Sequence, residues 1–167
     1  MTITAADLFD LDKGEELLDE ISKDSPNHKQ VAAMIGDGYP LDQCDKDGCN
    51  ALSWAAFKGY ADHVKLIIAR NTDLNFPDRD GRTPLMWAAG HGRFDVVKLL
   101  VAAGAKVDLE DKEGRTAARR SMAKGCTDIT AFLVEAGANP PPFDASVELK
   151  EPVAVCRRPL AIRKPGF

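Results

Sequence analysis

Aromatic residues make up only 7% of this 167-residue chain, so alanine, leucine and valine must build most of its core. Long apolar runs are missing as well. No stretch approaches the roughly 20 apolar residues of a membrane helix, and Met1–Asp10, with Asp7 and no basic residue, lacks the charged start of a secretory signal. The expectation is an intracellular, cytoplasmic protein with no membrane insertion. The four cysteines, Cys44, Cys49, Cys126 and Cys156, form no CxxC pair and read as free thiols. There is no excess of basic charge: 22 basic against 26 acidic side chains give a net of -4, which speaks against a general phosphate-binding surface. That charge is unevenly spread, because Asp144–Phe167 is +2 and everything before it is -6.

What is present is a period of 33. Glycines recur at Gly48, Gly81 and Gly114, at Gly59, Gly92 and Gly125, and at Gly38, Gly104 and Gly137 with Asn71 in the gap. Aligned on these ladders, Asp47-Gly-Cys-Asn-Ala-Leu-Ser-Trp-Ala-Ala-Phe-Lys-Gly59 matches Asp80-Gly-Arg-Thr-Pro-Leu-Met-Trp-Ala-Ala-Gly-His-Gly92, and the run from Glu113 to Gly125 follows more loosely. The unit resembles the ankyrin repeat. The resemblance covers roughly residues 13–139, and the family's usual histidine after the leucine is replaced by Ser53, Met86 and Arg119. It implies an all-α solenoid of stacked helix-turn-helix units joined by β-hairpin-like loops, with no cofactor and no catalytic centre.

Each residue type in the unit has a physical task of its own. Thr83-Pro84 opens a helix, since threonine accepts from an orphan amide and proline needs no donor at the first helical position. Leu85, Ala88 and Ala89 form one face, and the alanines let a second helix approach closely. Gly92 closes that helix, and Val96, Val97, Leu99 and Leu100 line the next. No single unit buries both its faces, so stability comes from stacking.

The units read as 13–46, 47–79, 80–112 and 113–139, preceded by an extension over 1–12 with a short helix at Thr4–Leu11. In the first unit the helices are expected at Gly14–Lys23 and Asn27–Asp37, with Glu15, Asp19, Asp24, Lys29 and Gln30 on a solvated outer face. In the last, Ala118, Arg119 and Arg120 replace Leu85, Met86 and Trp87, as in a unit with little to pack against. From Pro140 to Phe167 the chain has no helical period and reads as a basic tail, either disordered or extended.

Candidate chemistry is thin. Asp45-Lys-Asp-Gly48 and its repeats look like calcium loops, but counting from Gly48 puts Gln43 first and Trp54 twelfth, with no bidentate glutamate. Hairpin tips with aspartates capping turns in water explain them better. His28, His63 and His91 fall in different units at dissimilar places, without a metal-like partner. Trp54 and Trp87 are expected to be core, filling the space between first helices.

The positions left free are hairpin tips and the outer turn of each first helix, where proteins similar in fold bind protein partners through a concave face. The candidates are Lys46, Asp47, Phe57, Lys58, Tyr60, Arg79, Arg82, His91, Arg115 and Lys124. Tail candidates for docking are Val153, Val155, Arg157, Arg158, Leu160, Ile162 and Arg163, whose charge is opposite to that of the repeats. The reading is a non-enzymatic adaptor, inhibitor or assembly subunit, a monomer by itself or part of a hetero-complex, binding a protein partner and no small-molecule substrate. Nucleic acid, held by the basic tail, is the alternative.

Overall fold

Repeating caps and glycine stops cut the chain into helix pairs. In a computed structural model that describes residues 5–139, with side chains from residue 12, there are eight helices. They are α1 (Ala5–Ser22), α2 (His28–Gly36), α3 (Ala51–Lys58), α4 (Ala61–Ile68), α5 (Pro84–Gly90), α6 (Phe94–Ala102), α7 (Ala117–Ala123) and α8 (Thr127–Glu135). Three first helices begin at the same kind of cap: Asn50, Thr83 and Thr116 accept from the amides of Ser53, Met86 and Arg119.

First helices stack on first helices, α1 on α3 on α5 on α7, and second on second, α2 on α4 on α6. The core lies between these layers. Leu17, Ile21, Leu52, Leu85 and Ala118 face it from the first layer, and Val31, Ile35, Val64, Ile67, Val97, Leu100 and Leu133 from the second. Ala55, Ala56, Ala88 and Ala89 are fully buried where first helices meet, small side chains permitting close approach. Backbone bonds also cross between units at the tips, from the Arg79 amide to the Asp47 carbonyl at 3.0 Å and from Lys112 to Asp80 at 2.9 Å.

The first unit departs from the sequence expectation. Instead of one short helix followed by another, α1 runs unbroken from Ala5 to Ser22 through the buried Gly14. The break was expected between Leu11 and Gly14, but nothing there ends a helix, since a single glycine costs one only about 1 kcal/mol. The hairpins carry no extended strand among the described residues, only one isolated bridge between Cys44 and Asn50. No described helix is long and apolar enough to cross a membrane.

Candidate functional site

The aspartates expected in water are the anchors of the repeat. Asp78 is 6% exposed and Asp111 is 7% exposed. Asp78 Oδ1 accepts from the amides of Asp80 and Arg82 at 2.9 and 2.8 Å, which closes the hairpin tip. Its Oδ2 accepts from Arg82 Nε at 2.7 Å and from Trp87 Nε1 at 3.1 Å. Asp45 repeats the scheme with the amides of Asp47 and Cys49 and with Trp54 Nε1 at 2.8 Å. Each hairpin is thereby tied to the helix that follows it, nine residues on.

The same link explains Arg120. Its guanidinium occupies the tryptophan position and donates to Asp111 Oδ2, with Nε at 3.0 Å. One N–H donor replaces another, and the carboxylate stays satisfied. Burial alone would raise the pKa of Asp111. The Arg115 amide, the Arg120 and Arg115 guanidinia and the Glu113 amide outweigh it and hold the group at about 2 instead of 3.8. Its contribution is therefore fully present above pH about 4 and is lost as pH falls through about 2, roughly 2 kcal/mol in all. Urea midpoints measured between pH 5 and pH 2 are expected to fall less steeply in Asp111→Asn than in the unaltered chain; equal slopes would refute this role.

Because the indoles are tied to hairpin tips, Trp54 and Trp87 are only half buried, a correction to their expected place in the core. They stand as walls of a groove between the tips and the first helices. Phe57 lies between them, its ring meeting both indoles edge to face at 5.6 and 5.5 Å. His91 closes the group, 4.5 Å from Phe57 and stacked on Trp87 at 5.6 Å, with Nδ1 3.0 Å from the Trp87 carbonyl. Below this cluster a pocket of about 110 Å³ opens between the second and third units, and Cys49, Ser53 and Asp47 line it with the aromatic rings and Arg82.

Several sequence candidates gather here. Lys46, Asp47 and Arg79 are exposed on neighbouring tips, Arg82 is half buried against Trp87, and Phe57 and His91 sit at the centre. Lys58 reaches towards Trp54 and Phe57 but pairs with Asp24. Arg115 and Lys124 belong to the next interface, where Arg115 pairs with Asp111 and Glu113. Tyr60 lies elsewhere: its hydroxyl donates to the Lys23 carbonyl at 3.3 Å, beside His28 and His63. Sequence reasoning found no partner for those two histidines, yet His28 Nδ1 lies 3.4 Å from His63 Nε2. Burial, then His28, lowers the pKa of His63. The tail candidates Val153, Val155, Arg157, Arg158, Leu160, Ile162 and Arg163 lie outside the described residues.

Burial, then Asp45 and Asp78, push the Cys49 thiol up to about 12, so it is no nucleophile at neutral pH. Among the described residues no group of three or more His, Cys, Asp or Glu is arranged to hold a metal ion. The groove offers aromatic surface, one guanidinium and carboxylates: the materials of recognition. Cys49 falls on a tip position that the sequence leaves free, whereas Trp54, Trp87 and Ser53 were not among the candidates for it. A signal existed in the spacing of nine between Asp45 and Trp54, Asp78 and Trp87, and Asp111 and Arg120.

A family model for ankyrin repeats, in 3 copies, matches residues 18–111 and 52–144. The chain belongs to the ankyrin repeat family. Ankyrin repeats are generally protein–protein interaction modules, and the family is typically non-catalytic. A search of curated proteins finds no match to this ankyrin-repeat chain.

Proposed function

We propose that this ankyrin-repeat protein is a non-enzymatic binding module, an adaptor, inhibitor or assembly subunit. In this reading it engages one protein partner through the groove between its hairpin tips and first helices. The observation that carries the reading is the cluster of Trp54, Phe57, Trp87 and His91 standing half open along that groove. Rings already held by neighbours lose little freedom on binding and supply large contact area, which is why aromatic anchors commonly dominate interface energy. Cys44 and Cys49 are free thiols, which fits a reducing compartment such as the cytoplasm.

The experiment is site-specific photo-cross-linking in cells. A benzophenone side chain at position 57 is expected to give one dominant protein adduct. The same group at Leu66, 40% exposed on α4 in the second layer, is expected to give little of it. Equal adducts from both positions, or adducts from Leu66 alone, would remove the groove from its proposed role.

A further inference from the structure

We propose that the pocket between the second and third units is a receptor for an arginine side chain of the protein partner, held as the chain holds its own Arg82. This deepens the binding reading above and rests on it. The template lies one repeat away. Arg82 donates through Nε to Asp78 Oδ2 at 2.7 Å, its Nη2 is 2.7 Å from Asp80 Oδ2, and its guanidinium carbon lies 4.3 Å from the centre of the Trp87 ring. Two carboxylates and one indole face thus define a place for a planar, forked cation. The fourth unit repeats the carboxylate part with Arg115 between Asp111 and Glu113.

The second unit keeps Asp45, Asp47 and Trp54 but has Cys49 where the arginine stands. Asp47 enters no ion pair among the described residues, whereas its counterparts Asp80 and Glu113 each pair with the arginine of their own unit. Ser53 likewise stands where the third unit has Met86, and these two smaller side chains leave the pocket of about 110 Å³. Ser53 is 1% exposed, lines that pocket, and has a hydroxyl without a hydrogen-bond partner. A buried polar atom with no partner is uncommon and marks a place where a donor fits.

Charge agrees. On the tips of the second and third units Asp45, Asp47, Asp78 and Asp80 are met by Lys46, Arg79 and Arg82, one cation short; of these, Asp47 and Arg82 line the pocket. At the next interface Asp78, Asp80, Asp111 and Glu113 are met by Arg79, Arg82, Lys112, Arg115 and Arg120, one cation over. The nearest cation to Trp54, Lys58, is 5.9 Å from the ring centre and is paired with Asp24. A lysine cannot fork between two carboxylates while lying flat on an indole, so the occupant is arginine.

The test uses the full chain and its own fluorescence, since Trp54 and Trp87 are its two indoles and both line the pocket. The probes are the capped pentapeptide Gly-Val-Arg-Val-Gly and its lysine and citrulline twins. The arginine peptide is expected to bind at least tenfold tighter than either twin, and Asp47→Asn is expected to weaken it about tenfold. Cys49→Arg supplies the missing guanidinium internally; it should abolish peptide binding and raise the melting temperature by about 3 °C. Equal binding of the citrulline peptide, or undiminished binding by Asp47→Asn or Cys49→Arg, would overturn the proposal. Should Cys49→Arg not fold, Asp47→Asn decides alone. A chain with Arg157, Arg158 and Arg163 changed to glutamine is expected to bind the probe unchanged. A tenfold gain there would assign the pocket to the chain's own tail and overturn a partner arginine. Cross-linking from position 57 to a partner, with no preference for the arginine probe, would reject this receptor and leave the binding reading standing.

Discussion

Replacing Asp78 with alanine is expected to lower the free energy of unfolding by about 3–5 kcal/mol, measured as the urea midpoint and slope. The carboxylate receives four N–H donors, two tip amides, Arg82 Nε and Trp87 Nε1, and the weaker Cys49 thiol at 4.0 Å, and its side chain is fully buried. Alanine leaves all four N–H groups without this acceptor and leaves the partly buried Arg82 guanidinium with the exposed Asp80 alone. The damage is also central, because Asp78 starts the hairpin of the third unit, on which both neighbours stack. Asp78→Asn separates charge from shape. Its oxygen still serves the two amides, but its NH2 then faces two donors, so the loss is expected to be about 2 kcal/mol. A loss below 1 kcal/mol for alanine would mean that water replaces the carboxylate and that the tip is not anchored through it.

Gly48→Ala is expected to cost about 2–4 kcal/mol in the same assay, with Gly104→Ala as its control at about 1 kcal/mol. Both glycines have positive φ, +83° and +93°, so both substitutions carry the strain of a left-handed residue. They differ in their surroundings. A Cβ at Gly48 would lie 2.8 Å from the Arg79 backbone nitrogen, the atom that bonds to the Asp47 carbonyl, while nothing lies within 4 Å of one at Gly104. The excess loss at Gly48 therefore reads the stacking of neighbouring tips. Equal costs at the two positions would show that the tips do not bear on each other.

Much of this architecture was legible because repetition converts local chemistry into position. Asn50, Thr83 and Thr116 cap helices as their residue types dictate, and the glycine ladder located even the first unit, whose helices are disguised. The extent of α1 was not legible: the sequence reads as a short helix over Thr4–Leu11 and a second from Gly14, whereas Gly14 is buried within one continuous helix. His28 and His63 are 35 residues apart and share no place in the period, so only the stacking of α2 on α4 brings them together. Arg120 looked like a loss of packing because a tryptophan was judged by its ring; its N–H was the retained function.

The order of residues alone determines a linear stack with its caps, glycine turns and apolar stripes, because each depends on contacts within one unit or on a strict period. The groove was decided only by tertiary structure. Whether an aspartate is a solvated cap or a buried anchor depends on which N–H groups the following helix carries back to it. Whether Cys49 and Ser53 are bland small residues or the floor of a pocket depends on Arg82 and Trp87 arriving from the next unit. Burial and charge balance are sums over neighbours, and those neighbours exist only once the units have stacked.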